Sequence, residues 1–279
     1  MAETLILQEK PLRVVAHSWP VTSPRGGVVL IHGLGEHSGR YAHVAQALNE
    51  IGLSVLAPDL PGHGRSGGRR GHFPSYEQVL DLIGLVLDRL GEAVGGRPLL
   101  LYGHSLGGNL VINYTLRRPQ GLRGAVASGP WLRLAIQPPR WRVALARTVG
   151  RLLPAVTQPN GLDPHDLSHD PQVVQAYIGD PLVHDRISAG LFLSAYQAGL
   201  WALENATWLQ VPLLLMHGTA DRLTSPEASA AFCARAGSLC TLRLWEGLCH
   251  EVHNEPQKAE VLTALREWLE SILASPAAA

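Results

Sequence analysis

Cysteine and lysine are scarce in this sequence. Three cysteines (Cys233, Cys240 and Cys249) cannot all pair with one another, and the first ten residues lack the apolar centre of a secretory signal. A reduced, cytoplasmic compartment is therefore expected. Lys10 and Lys258 are the only lysines, and every other basic residue is arginine, which we interpret as a compositional habit and not as a binding signal.

The chain also lacks net charge and a membrane-spanning run. Lys plus Arg (23) equals Asp plus Glu (23), so no overall field attracts a polyanion, and a nucleic-acid partner is not expected. The longest charge-free apolar stretch extends from Ile187 to Leu203 and contains serine, glycine and glutamine. It is shorter than the roughly 20 apolar residues that span a bilayer, so a buried helix is predicted there.

The apolar fraction of 46 % and the charged fraction of 16 % predict a large buried core. Short apolar runs without alternation predict strands, and 3.6-residue periodicity with capping residues predicts the helices between them. This order is typical of an α/β fold whose mostly parallel sheet has helices on both faces. The predicted strands are Leu12–Trp19, Val28–Ile31, Ser54–Ala57, Leu99–Tyr102, Ala125–Ala127, Val211–Met216 and Leu239–Trp245. The predicted helices are Tyr41–Ile51, one starting at Ser75, one ending at Arg117, one capped by Ser225 and Gln257–Leu273.

The alternation stops between residues 130 and 209, where prolines, tryptophans and helical segments occur without a strand run. We interpret this stretch as a helical cap inserted into one α/β core. The predicted organisation is a first core part (1–129), the cap (130–209), a second core part (210–273) and a disordered tail (274–279).

The segment Gly103-His-Ser-Leu-Gly107 matches G-x-S-x-G between a predicted strand and a predicted helix. A tight strand–turn–helix exposes the serine hydroxyl, and small residues two positions away on each side avoid clashes. Ser105 is therefore the candidate nucleophile. The structural alternative is a glycine-rich helix entry that only packs closely.

A serine nucleophile needs a base, an acid that orients the base, and an oxyanion hole. Asp221 follows one predicted strand and His250 follows the next, in the Ser–acid–His order of this architecture. The amide N–H groups of Leu106, after the nucleophile, and Leu34, in His32-Gly-Leu-Gly35, are the candidate oxyanion donors. Taken singly, Asp221 could serve a turn or an ion pair, and His250 could be a surface histidine.

Several motifs together resemble the monoacylglycerol lipases and lysophospholipase-like serine hydrolases of the α/β-hydrolase fold. They are HGLGEHSGRY (32–41), DLPGHGRSGG (59–68), GHSLGG (103–108), DPL (180–182), HGTADRLTSP (217–226) and WEGLCHEVHNEP (245–256). The resemblance implies the triad Ser105, Asp221 and His250 and the oxyanion amides of Leu34 and Leu106. Leu34 is bulkier than the alanine common at this position of the family.

The resemblance further implies a polar pocket for a glycerol head group, formed by Glu36, Arg40, Tyr177 and His253. Against this stands a structural alternative, in which Glu36 and Arg40 pair with each other and cap the helix that begins near Tyr41.

Other side chains have weaker functional interpretations. His165 and His169 have helical i,i+4 spacing, but the surrounding acidic turn favours a solvated loop, and no metal or organic cofactor is expected. His104 is expected to pack under the strand–turn–helix that carries Ser105, which we call the elbow. Cys249 adjoins His250, the candidate base. On the second cap helix, the candidate acyl-chain wall consists of Leu191, Phe192, Ala195 and Trp201.

Residues 131–160 carry Arg133, Arg140, Arg142, Arg147 and Arg151 and no acidic residue. Trp141, Leu145, Val149 and Leu152 share one helical face there, which either packs on the core or contacts an anionic membrane surface transiently.

The sequence thus predicts a serine hydrolase that cleaves carboxylic esters of lipid-like substrates, foremost monoacylglycerols. A broader carboxylesterase or lysophospholipase is the alternative, and a non-catalytic ligand-binding protein of the same fold is a third class. The expected location is cytoplasmic or peripheral to a membrane, and the oligomeric state stays open.

Overall fold

A computed structural model describes residues 3–8 and 12–274. Residues 275–279, which hold nearly all of the predicted tail, lie outside the described residues. Ten strands are present in this part of the chain: β1 (Glu3–Gln8), β2 (Val14–Trp19), β3 (Gly26–Ile31), β4 (Leu53–Pro58), β5 (Leu99–His104), β6 (Leu122–Ser128), β7 (Thr157–Pro159), β8 (Arg186–Ser188), β9 (Leu213–Gly218) and β10 (Cys240–Trp245).

Eight of these strands form one sheet in the order β1-β2-β4-β3-β5-β6-β9-β10. The pairs β1–β2 and β2–β4 are antiparallel, and all pairs from β4 to β10 are parallel. Parallel strands end at the same edge, so the loops that follow β3, β5, β9 and β10 meet there. The functional residues predicted from the sequence lie in these loops.

Eight α-helices accompany the strands in the described residues: α1 (Ala42–Glu50), α2 (Tyr76–Ala93), α3 (Leu106–Arg117), α4 (Arg140–Leu152), α5 (Pro171–Gly179), α6 (Ala189–Glu204), α7 (Pro226–Ala236) and α8 (Lys258–Ala274). The sheet has an apolar core on each face. Val29 and Ile31 of β3 pack in the core under α2, α3 and α7, whereas Val28 and Leu30 pack in the core under α1 and α8. Successive side chains of β3 thus enter opposite cores, which confirms the prediction that helices cover both faces of the sheet.

Capping residues begin two helices where the sequence predicts them. The Ser75 Oγ accepts the backbone N–H of Gln78 (3.1 Å), and the Ser225 Oγ accepts that of Ala228 (3.1 Å), with Pro226 at the first helical position. Each of these bonds satisfies a backbone donor that has no acceptor within its own helix.

Two features of the fold differ from the sequence prediction. Strand β1 at the sheet edge was not predicted, because most of its side chains are exposed and no buried apolar run marks it. Within residues 130–209, hereafter the cap segment, β7 and β8 form a short antiparallel pair where no strand was expected. Three-residue strands are too short to leave a period-two pattern in the sequence.

The cap segment is fixed through α6 to α3, the helix that follows Ser105. The Asn109 Nδ2 donates to the carbonyls of Trp131 (2.7 Å) and Ala195 (3.0 Å), and the Asn113 Nδ2 donates to the Ala198 carbonyl (3.2 Å). These buried side-chain bonds hold α6 against α3. Among the described residues, no helix has both the length and the apolar character needed to cross a membrane.

Two of the three cysteines pair with each other. Cys233 of α7 and Cys240 of β10 form a disulfide with a Cα–Cα distance of 5.2 Å, and Cys249 is free and buried. A disulfide does not fit the reduced compartment expected from the cysteine count. The cytoplasmic location therefore stays a prediction.

Candidate active site

Ser105 lies on a sharp turn between β5 and α3. Its backbone has φ 54° and ψ −113°, a conformation that non-glycine residues rarely adopt. A side chain at Gly103 would overlap the Gly107 carbonyl, and one at Gly107 would overlap the Ile31 carbonyl. The two glycines therefore permit the close approach that turns the serine out of the sheet edge.

Asp221 and His250 form a buried pair in the loops after β9 and β10. The His250 Nδ1 is 2.6 Å from the Asp221 Oδ2. Because a carboxylate only accepts, the Nδ1 carries the proton and the Nε2 is left as the basic nitrogen. The Asp221 carboxylate also faces the His217 Nε2 (2.9 Å) and accepts from the Thr224 hydroxyl (2.8 Å).

The pair shifts the pKa of both members. Burial opposes ionisation of Asp221, but charge and hydrogen bonds from His250 and His217 outweigh it and hold the Asp221 pKa far below its usual range. Burial lowers the pKa of His250, yet the Asp221 carboxylate raises it above the ordinary value of 6.5. Asp221 is thus ionised, and His250 is a stronger base than a free histidine.

Ser105 and His250 line one cavity of about 490 Å³ beneath the cap segment. Its apolar wall includes Leu34, Trp131 and Phe192. Of the predicted acyl-chain wall, Phe192 faces this cavity, whereas Leu191, Ala195 and Trp201 belong to the apolar core or pack against it. The cavity therefore combines the candidate nucleophile, its candidate base and an apolar surface.

Leu34 and Leu106 occupy the positions expected of oxyanion donors. Leu106 is the first residue of α3, so its N–H has no acceptor within the helix. Leu34 lines the cavity beside Ser105, and in the described part of the chain no protein acceptor is found for its N–H. Gly33, just before it, lies so close that a Cβ there would be 3.3 Å from the Ser105 Cβ.

Glu36 is buried and bonded entirely within the protein. Its Oε1 accepts the Gly33 N–H (2.6 Å) and the Tyr41 hydroxyl (2.6 Å), and its Oε2 accepts from Arg40. Arg40 in turn donates to both carboxylate oxygens of Glu251 (2.7 and 2.8 Å). We call Glu36, Arg40 and Glu251 the buried charge triad.

The buried charge triad joins the loop after β3 to the loop of the catalytic base. Burial of Glu251 opposes its ionisation, but the positive charge and the hydrogen bonds of Arg40 outweigh this effect and hold the pKa of Glu251 well below its usual range. The aromatic ring of Tyr177 stacks on the Arg40 guanidinium at 4.8 Å, and His253 stacks on Tyr41 at 5.1 Å. Burial keeps His253 neutral by lowering its pKa far below 6.5.

The structure brings together Ser105, His250 and Leu34 around the cavity, with Asp221 behind the base. It does not bring the predicted head-group residues to the cavity wall, which contains none of Glu36, Arg40, Tyr177 and His253. Glu36 and Arg40 pair with each other, as in the structural alternative. His104 packs under the elbow, and burial lowers its pKa to about 3.

Sequence reasoning missed Glu251, His217 and Thr224. Glu251 directly follows the base and His217 begins the motif that carries the acid, but neither had been assigned a role. No sequence signal identifies the main partner of Glu251, because Arg40 is 211 positions away along the chain.

Comparison with known proteins agrees with this geometry. The family model described as serine aminopeptidase S33 (Hydrolase_4) matches residues 22–257. A monoacylglycerol lipase of Mycolicibacterium smegmatis is 38 % identical over 265 residues, which is 94 % of each chain. An uncharacterised abhydrolase domain-containing protein of Dictyostelium discoideum is 40 % identical over 253 residues, which is 90 % of this chain but 27 % of that longer relative.

The crystal structure of a monoacylglycerol lipase from Paleococcus ferrophilus has a TM-score of 0.87 and 41 % identity, covering 93 % of this chain and 99 % of that one. The resemblance to monoacylglycerol lipases predicted from the motifs is thereby confirmed. With the family match over most of its length and the shared fold, the chain belongs to the serine aminopeptidase S33 family of α/β hydrolases and is a serine ester hydrolase.

Proposed function

We propose that this protein hydrolyses monoacylglycerols to glycerol and a fatty acid through an acyl-enzyme on Ser105. The observation that carries the proposal is the His250–Asp221 bond of 2.6 Å beside a strained serine, with base and serine on the wall of one apolar cavity. The substrate class is supported by the names of the relatives described above.

The geometry suits a two-step transfer. His250 takes the Ser105 proton as the oxygen attacks the ester carbonyl, and the Leu34 and Leu106 amides stabilise the oxyanion. The imidazolium then protonates the departing glycerol oxygen, leaving an acyl-serine. Water attacks the acyl carbon by the same route and releases the fatty acid, while Asp221 stays ionised throughout.

The cavity suits an acyl chain better than a free peptide amine. A protonated amine would require an unpaired carboxylate, and the acidic residues of the wall are Asp163 and Asp166. Asp166 pairs with Arg222 (3.2 Å) and Asp163 with His165 (2.9 Å). Esterase action on one acyl chain therefore fits this cavity better than aminopeptidase action.

The cap segment, residues 130–209, is the proposed roof of this cavity and its contact with lipid. Its outer surface exposes large apolar side chains, with solvent-exposed fractions of 80 % for Ile136, 63 % for Trp141, 56 % for Leu145 and 74 % for Leu152. The sequence left two alternatives for the apolar face of α4, packing on the core or contact with a membrane surface. Packing on the core does not fit these exposed fractions. With the exposed Arg133, Arg147 and Arg151, the surface suits transient contact with an anionic membrane, at the cytoplasmic side.

A head-group role for Glu36, Arg40, Tyr177 and His253 stays a prediction with a direct test. If Glu36 binds glycerol, Glu36→Gln lowers kcat/KM for a monoacylglycerol but not for a p-nitrophenyl ester of the same acid. If Glu36 instead positions Gly33 in the oxyanion loop, as its contacts favour, both substrates lose activity equally and the unfolding temperature falls.

The function is tested with a fluorophosphonate probe and a substrate panel. Labelling of the wild type and its loss in Ser105→Ala would support the nucleophile. The panel contains mono-, di- and triacylglycerols, lysophospholipids and p-nitrophenyl esters with one acyl chain length. Preference for monoacylglycerol is expected from the names of the relatives, and equal rates on all glycerides would overturn the proposal.

A further inference from the structure

Three potential metal ligands meet behind the catalytic base, although they are far apart in the sequence. The His169 Nδ1 lies 3.6 Å from the Cys249 Sγ and 3.1 Å from the Glu255 Oε1. The ligand atoms of these residues all lie within 4.8 Å of one another. His169 comes from the turn before α5, and Cys249 immediately precedes His250.

The two spacings from the His169 Nδ1 are close to those between ligands of one tetrahedral ion. With zinc–sulfur bonds near 2.3 Å and zinc–nitrogen or zinc–oxygen bonds near 2.0–2.2 Å, neighbouring ligand atoms are about 3.2–3.6 Å apart. Imidazole, thiolate and carboxylate are the three zinc ligand types of proteins. His169 and His165, which the sequence pairs by helical spacing, are not partners, because His165 contacts Asp163 instead.

The cluster can match the charge of a divalent cation. A coordinated thiol loses its proton. The thiolate and the Glu255 carboxylate then carry two negative charges, which one divalent ion neutralises.

The cluster is also built as a site, with a fixed part and an accessible part. Glu255 is fully buried, and its carboxylate accepts the N–H groups of Cys249 (2.6 Å) and His169 (3.0 Å). The carboxylate is thus oriented before any ion arrives, with oxygen lone pairs to spare. The His169 side chain is 58 % exposed, which leaves an entry path and a fourth position for water.

We propose that His169, Cys249 and Glu255 bind one zinc-like divalent cation that ties the cap segment to the loop of the catalytic base. The same two segments are already joined by the bond from the Glu251 N–H to the Leu167 carbonyl (2.8 Å). The ion does no chemistry on the ester, because it lies behind His250 and not in the cavity. This site is independent of the proposed substrate.

The test is a titration of the purified full chain with Co²⁺ and, separately, Zn²⁺. One free thiol per chain is confirmed beforehand, since Cys233 and Cys240 are paired. One equivalent of Co²⁺ should produce a thiolate-to-cobalt charge-transfer band, and Zn²⁺ should displace the Co²⁺ and raise the unfolding temperature. Cys249→Ser should abolish the band.

His169→Ala should weaken binding by at least the ~10–100-fold that even a supporting partner contributes to metal affinity. His165→Ala is the matched control, since this exposed histidine four residues earlier lies outside the cluster, and it should bind as the wild type does. His169 is exposed, so its variant is expected to fold. Absence of the band in the wild type, its persistence in Cys249→Ser, or an equal loss in both histidine variants would overturn the proposal.

Discussion

Arg40 offers a sharp test of how buried charges stabilise this fold. Arg40→Met replaces the arginine by an unbranched apolar side chain similar to its aliphatic part, but Glu36 and Glu251 lose the guanidinium that both of them contact. Their side chains are only 3 % and 2 % exposed. Removing one partner of a buried ion pair costs about 3–5 kcal/mol, because the remaining charge is left without compensation. At about 2 °C per kcal/mol for a chain of this size, the unfolding temperature should fall by roughly 6–10 °C.

The chain contains a matched control in Arg118. This arginine also contacts two carboxylates, Glu77 (2.6 Å) and Asp81 (2.8 Å), but the two acids are 58 % and 63 % exposed. Exposed pairs contribute only about 0.2–1 kcal/mol each, so Arg118→Met should lower the unfolding temperature by a few degrees at most. Calorimetry and urea denaturation at neutral pH measure both variants.

The pH dependence gives a second measurement on Arg40→Met. In the wild type the folded-state pKa of Glu251 is depressed, so its stabilisation is present above the unfolded value of about 4.5 and is lost as pH falls toward the folded value. The variant lacks this contribution, and its uncompensated acids can take up protons. The difference between the proteins should therefore begin to shrink between pH 7 and pH 4.5, where only the variant takes up protons, and shrink further below pH 4.5, where the wild type loses the Glu251 contribution. Equal losses in the Arg40 and Arg118 variants, or a difference independent of pH, would refute the reasoning.

Three further predictions concern catalysis and lipid contact. Ser105→Ala and His250→Ala should each lower kcat by roughly 10⁴–10⁶, and the double variant should lose little more; additive losses would show that the two do not act as a unit. Because the Asp221 charge raises the His250 pKa, kcat/KM of the wild type should rise with pH through an ionisation above 6.5. Asp221→Asn should move the midpoint of this rise to lower pH and reduce kcat/KM at high pH about 10⁴-fold. An unmoved midpoint would mean that an acid other than Asp221 orients His250. Replacing Trp141 and Leu145 by serine should reduce both sedimentation of the protein with anionic vesicles and hydrolysis of monoacylglycerol held in those vesicles. The rate on a soluble p-nitrophenyl ester should not change. Unchanged sedimentation would contradict membrane contact.

The sequence predicts the parts of this structure that depend on local geometry. The elbow is predictable because the sharp turn at Ser105 leaves no room for side chains at positions 103 and 107. Both positions must therefore be glycine, which produces the G-x-S-x-G motif in the sequence. The buried strands are predictable because parallel strands covered on both faces are apolar throughout. Strand β1 is exposed at an edge, so no such signal exists for it.

Partnerships across the chain are not predictable in this way. Arg40 and Glu251 are 211 positions apart, and His169 and Cys249 are 80 apart. Periodicity describes neighbours within a helix or strand, and so it relates His169 to His165 and not to Cys249. The role of Glu36 is ambiguous for a related reason, because a residue that binds substrate and a residue that orders the loop backbone have the same appearance in a sequence.

The attachment of α6 to α3 by Asn109 and Asn113 divides the cap segment into two parts with different freedom to evolve. The acceptors on α6 are the backbone carbonyls of Ala195 and Ala198, so a displacement of α6 would move α3, the helix that follows Ser105. Leu134 and Ala135 are tied to the loop of Asp221 by a β-bridge to Thr224 and by the bond from the Ala135 N–H to the Leu223 carbonyl (3.1 Å). Residues 136–162, by contrast, contribute to the cavity wall, and α4 within them packs on α6. Substrate preference can therefore diversify by exchange of this stretch while the reaction is inherited unchanged, and chimaeras between relatives are best joined at its two ends.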